Sequence, residues 1–203
     1  MFIIRTRTIL AFAATAFALA GCGSGDSHTM PGMDHGTSSS AVATSSTPTR
    51  TDFNDADVTF LQMMYPHHAQ AVDMGQLVPG RSQNQQLLAL AAAIQRAQAP
   101  EMQQITTLLQ SFGKPAPTAD GHAGHGMPGM MSAEQMSTLQ AASGPDFDRQ
   151  WLNMMIEHHT GAVAMAETEL TAGTNADAQA LAREIIANQR AEIDQMHAML
   201  GPS

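Results

Sequence analysis

The chain has 203 residues and a formal charge of −9, with 18 acidic against 9 basic side chains. That length fits one ordinary domain plus tails, and the acidic balance excludes nucleic acid as a partner, since phosphate binding needs clustered Lys and Arg. Cys22 is the only cysteine, which rules out an intramolecular disulfide. The 16 methionines and 9 histidines are then the soft and borderline metal donors that stand out.

Residues 1–21 read as a lipoprotein signal peptide. Arg5 and Arg7 form a short basic region, residues 9–19 an apolar run of signal length, and Leu19-Ala20-Gly21-Cys22 resembles a bacterial lipobox. Cys22 is the expected lipidation site, which would tie the protein to the membrane at the cell envelope. Thiols are oxidisable there, so a metal-handling protein favours Met and His. Residues 22–51 are rich in Ser, Thr, Gly and Pro and read as a flexible tether. The tether carries His28, Met30, Met33 and His35 around a Met-Pro-Gly-Met tetrapeptide.

The folded part is expected over 52–203. Its first helix presents Phe60, Leu61, Met63, Met64, His67, His68, Ala71, Met74 and Gly75 on one face at about 100° per residue. Asp55 is the expected cap and Pro79-Gly80 the expected stop, with a kink at Pro66. The second helix stripes Leu87, Leu90, Ile94, Gln98, Glu101, Ile105 and Leu108, and Pro100 predicts a bend or break near residue 99. The loop 113–131 follows, with His122, His125, Met127, Met130 and Met131 around a second Met-Pro-Gly-Met. Ser132 and Gln135 form a capping-box pattern opening a short helix over 132–142. The next helix is expected over 146–171, capped by Asp146, with Gly173 beyond its end.

The decisive pattern is a duplication. Phe60-Leu61-Gln62-Met63-Met64-Tyr65-Pro66-His67-His68 returns as Trp151-Leu152-Asn153-Met154-Met155-Ile156-Glu157-His158-His159, at an offset of 91 residues. At the same offset Asn84, Leu90, Ile94, Gln98 and Glu101 match Asn175, Leu181, Ile185, Gln189 and Glu192. The halves 52–112 and 144–200 are therefore two helical hairpins. One hairpin cannot bury both of its stripes; two can, as an all-α four-helix bundle.

Within each half, helical spacing lines up donors. Met63, His67 and Met74 share one edge of the apolar face, and Asp57, Met64 and His68 the other; Met154, His158, Met165 and Asp148, Met155, His159 repeat the arrangement. Methionine at this spacing is ordinarily core filler. Four inward histidines are harder to dismiss, because buried polar groups without partners are costly. Gln98, Glu101, Gln189 and Glu192 are expected to hold the imidazoles or to bind metal themselves. Thioether plus imidazole favours Cu(I), with His also able to hold Cu(II), in the bundle as in the auxiliary Met/His segments.

The paired Met-x-x-x-His-His helices, Phe147-Asp148, the His-His-x-x-Ala-x-x-Met-Ala run at 158–166 and the Gln-x-x-Glu-Ile run at 189–193 resemble the domain of unknown function 305 family, which includes CopM-like copper-binding proteins. The resemblance spans roughly residues 52–200. It implies a ferritin-like four-helix bundle, usually exported, with copper binding and copper tolerance. The expected function is an envelope copper chaperone or sequestering lipoprotein that turns over no substrate. Its partners would be the metal ion, the membrane through the Cys22 lipid, and other envelope copper-handling proteins. Two alternatives are a ferritin-like di-metal oxidase and a structural lipoprotein without metal. No Glu-x-x-His motif, which oxidase bundles generally use, occurs in the bundle helices.

Overall fold

A computed structural model describes residues 50–119 and 126–201. The signal peptide, Cys22, the tether donors His28, Met30, Met33 and His35, and the loop residues His122 and His125 lie outside the described residues.

Five helices follow in order: α1 Asp55–Arg81, α2 Gln85–Ser111, α3 Ala133–Ala141, α4 Gly144–Ala172 and α5 Ala176–Leu200. The described residues contain no strand. The four long helices form the two hairpins α1–α2 and α4–α5, joined mainly where α1 packs on α4 and α2 on α5. Helices α1 and α4 run antiparallel: Asp57 meets Thr174, His67 meets His158, and Trp151 donates its indole N–H to the Met74 carbonyl at 2.9 Å. Among the described residues no helix is long and apolar enough to cross a membrane.

Three asparagines start helices. Asn54, Asn84 and Asn175 each accept two backbone N–H groups at the openings of α1, α2 and α5, satisfying donors that the first helical turn leaves free. Asn54, not Asp55, caps α1, with Asp57 completing a capping box from its third position. The Ser132–Gln135 box opens α3 as its pattern predicts. Helix α4 starts two residues before Asp146, which therefore caps nothing; Pro145 sits in the first turn, where its missing N–H costs little.

Neither the expected stop at Pro79-Gly80 nor a break at Pro100 occurs. Helix α1 continues through Pro66 and past Pro79-Gly80 to Arg81, and α2 runs unbroken through Pro100. Each proline removes one backbone donor, while flanking residues anchor the same turns in the core. Pro66, expected on the outer face, is buried, with Met64, His67 and His68 beside it.

Two apolar clusters fill the bundle. One gathers Leu61, Met64, Ile105, Leu109, Ala162, Leu181 and Ile185. The other gathers Met74, Leu87, Ile94, Phe147, Trp151, Met155 and Met196, with Met131 and Leu139 from the α3 region. Each fully buried side chain of this size stabilises by about 2 kcal/mol. In all four long helices the polar residues fall between the two clusters along the chain: His67 and His68, Gln98 and Glu101, His158 and His159, Gln189 and Glu192. The bundle thus holds a polar layer between two apolar ends.

Candidate metal centre

All four histidines of the layer have no exposed surface. Helix α1 supplies His67 and His68 and α4 supplies His158 and His159, each pair one turn after two methionines. The rings of His67 and His158 meet across the α1–α4 contact with centroids 3.8 Å apart, tilted by 42°. The rings of His158 and His159 are 6.2 Å apart. The duplicated imidazoles therefore meet inside the bundle rather than on opposite surfaces.

Hydrogen bonds fix three of the four rings. His68 Nε2 lies 2.7 Å from Glu101 Oε2, and His159 Nε2 lies 2.8 Å from Glu192 Oε2, the same pairing in each half. His67 Nε2 lies 3.0 Å from the Pro128 carbonyl. A carbonyl only accepts, so His67 donates through Nε2–H. All four Nδ1 atoms, and Nε2 of His158, are buried without a hydrogen-bond partner. Burial first, then the neighbouring imidazole of His68, pushes the His67 pKa down from 6.5 to about 3, although its Pro128 bond pulls the other way. Burial, followed by the charges of His67 and His159, holds His158 well below the ordinary range. Both rings are therefore neutral at pH 7, the state a metal ligand requires.

Glu101 and Glu192 hold imidazoles, whereas Gln98 and Gln189 do not. Both glutamine side chains are buried with neither amide atom paired. Asp57 also departs from the expected role. It accepts from the backbone N–H groups of Asn54, Thr174 and Asn175, tying the start of α1 to the α4–α5 turn. These bonds outweigh burial and keep its pKa low. Its lone pairs are engaged far along α1 from the histidines, so it is a helix-capping group. Asp148 leaves one buried oxygen unpaired.

The methionines divide. Met64, Met155 and Met74 are fully buried inside the apolar clusters, and Met165 nearly so. Met63 and Met154 are half-buried beside them. Met127 and Met131, expected in a flexible donor loop, are buried, and Met130 is half-buried. Met131 has become part of the core because the segment 127–131 lies along the α1–α4 seam. Sequence reasoning missed the residues that seat this segment. Gln70 bonds both backbone groups of Met131, at 2.9 Å and 2.7 Å. Gly161 carries no Cβ, and a Cβ there would collide with the Pro128 carbonyl. Gly129 adopts φ 77°, and a Cβ on it would stand 2.6 Å from the Glu157 carbonyl. The signal was the mismatch of Gln70 with Gly161 at the repeat offset.

Orphaned, neutral imidazole nitrogens in a sealed layer fit a metal ion, since a lone pair facing no donor is costly in a core and useful to a cation. Among the described residues, no three His, Cys, Asp or Glu side chains stand together as a finished cage. Imidazole nitrogens suit a borderline or soft ion more than one that demands several hard oxygen ligands.

The sequence matches the family model described as Domain of unknown function (DUF305) over residues 57–200. No protein of curated function matches it. The fold is similar to the crystal structure of a DUF305 fragment from Deinococcus radiodurans, with 36% identity and a TM-score of 0.67 over 74% of this chain and 99% of the other. It is similar to CopM in the Cu(II)-bound form, with 37% identity and a TM-score of 0.61 over 69% and 92% of the two chains. It is also similar to CopM in the Cu(I)-bound form, with 33% identity and a TM-score of 0.58 over 69% and 91%. The duplicated His-His hairpins and these matches lead to one assignment: the chain belongs to the DUF305 family.

Proposed function

We propose that this protein is an exported, lipid-anchored copper-binding protein that sequesters or hands on copper and turns over no substrate. The observation that carries the reading is the sealed layer of four imidazoles with every Nδ1 unpartnered. Cu(I) accepts imidazole and thioether readily, and His can also hold Cu(II). Similarity to CopM, whose structures include Cu(I)-bound, Cu(II)-bound and Ag-bound forms, supports a copper-binding role. His67, His68, His158 and His159 are the proposed donors, with Met63 and Met154 one turn before His67 and His158, and Met64 and Met155 one turn before His68 and His159. Glu101 and Glu192 orient two of the rings from behind, as carboxylates commonly do for metal-bound histidine. Copper tolerance, export through the 1–21 signal and anchoring through Cys22 belong to the same proposal.

The test uses the mature chain without an affinity tag. Copper should raise its melting temperature at near-stoichiometric loading, as expected of a ligand that binds only the folded state. Replacing the four layer histidines together by Ala should abolish the rise. A variant that responds like the parent would remove the layer from the mechanism. Iron retained in place of copper, with oxygen consumption, would favour the oxidase.

A further inference from the structure

The segment 127–131 touches the candidate centre through backbone rather than side chains. Its Pro128 carbonyl meets His67 Nε2 at 3.0 Å. Three residues on, the Met131 backbone is gripped by Gln70, whose Nε2 donates to the Met131 carbonyl at 2.9 Å and whose Oε1 accepts from Met131 N–H at 2.7 Å. A side-chain amide paired at both ends with the N–H and the C=O of one residue is a two-point latch. It fixes orientation as well as distance. Between the two contacts the chain rests on Gly161, where any side chain would collide with the Pro128 carbonyl. Gln70 and Gly161 are not among the proposed metal donors.

We propose that Gln70 is a positioning residue that, through Met131 and Pro128, fixes His67 as the tautomer with hydrogen on Nε2 and a free lone pair on Nδ1, and holds the segment 127–131 closed over the His67–His158 pair. A neutral imidazole carries one hydrogen, and which nitrogen bears it is set by the bond the other end makes. With the carbonyl in place, only the Nε2–H form is satisfied, so Nδ1 is the nitrogen offered to an ion. His158 has no such partner on either nitrogen, and its tautomer is free to adapt. The pair therefore combines one preset donor with one adjustable donor.

The same latch controls access. Pro128 forms part of the wall of a cleft of about 420 Å³ between α1 and α4, which is also lined by Phe60, Met63, Met165 and Glu169. Lifting the segment would open the face of His67 that the Pro128 carbonyl covers toward this thioether-lined cleft. This part of the inference rests on the copper reading: the latch would set how fast a bound ion leaves.

Two substitutions test it. Gln70→Met keeps length and removes both hydrogen bonds. Gly161→Ala pushes the Pro128 carbonyl away while placing a better helix former in α4. Nitrogen NMR of the metal-free chain should show a single His67 tautomer in the parent, protonated at Nε2. Both variants should show mixed or reversed protonation. Transfer of Cu(I) from the loaded variants to a competing chelator should be at least about fivefold faster, a change of about 1 kcal/mol in barrier. An unchanged single tautomer in both variants overturns the proposal, and so does unchanged transfer from variants whose tautomer has shifted. If the tautomer shifts but the parent takes up no copper, the positioning role stands and the copper reading falls.

Discussion

The two halves are most alike in the middle and least alike at their ends. At the polar layer each hairpin repeats two histidines on its first helix and a glutamate and a glutamine on its second, with the same His–Glu bond. Away from the layer the equivalents diverge. Asp57 ties α1 to the α4–α5 turn, but its counterpart Asp148 leaves an oxygen unpaired, because Asn84 N–H is satisfied by Ser82 Oγ instead. Val78 is apolar filler, whereas its counterpart Glu169 is a buried carboxyl packed over Gly173. An apolar end needs only to be filled, and many residues fill it. A buried hydrogen-bonded pair must keep donor and acceptor matched, which holds the His68–Glu101 and His159–Glu192 pairs to one solution.

Acid should have the largest effect, because it attacks the part the halves share. His67 titrates near 3 in the folded state against 6.5 ordinarily, and His158 moves the same way. Below 6.5 the unfolded chain takes up protons that the folded chain refuses. The stability contributed by these rings is therefore complete above pH 6.5 and lost as the pH falls toward 3. Calorimetry on the metal-free chain should show a steep fall in melting temperature over that window. Glu169 opposes this on the other side. Burial, then Asp57 beside it, raises its pKa from 4.5 to about 8, so its contribution is complete below 4.5 and lost as the pH rises through 8. Glu169→Gln should flatten the alkaline limb and leave the acid limb unchanged.

The next effect separates the halves. Asp57→Ala strands three backbone N–H groups and should cost about 3 kcal/mol in chemical denaturation. Asp148→Ala should cost less than about 1 kcal/mol, since no neighbour depends on it. Equal costs would mean that the two turns are held alike. The smallest effect should restore the likeness. Gln98→Leu and Gln189→Leu each remove a buried amide without partners, and each should stabilise the metal-free bundle by about 1 kcal/mol.

Much of this was legible in the sequence. The 91-residue offset located both hairpins, and helical spacing turned all four histidines inward. Helix ends were less legible. Pro79 signals a stop and Pro100 a break, yet both helices continue through them, and Asn54 rather than its neighbour Asp55 caps α1. The segment 127–131 misled because Met, Pro and Gly are typical of solvated loops. Its burial depends on Gln70 and Gly161, about 60 and 30 residues away in the chain, and no local pattern encodes that contact.

The seat of Pro128 has a geometric consequence. Gln70 and Gly161 are equivalent positions of the two repeats, so a segment that touches both lies astride the pseudo-dyad relating them. A lone peptide has no two-fold symmetry of its own, and a point on a dyad admits one guest. The halves were therefore bound to part company there, one keeping a long amide arm and the other giving up its side chain entirely.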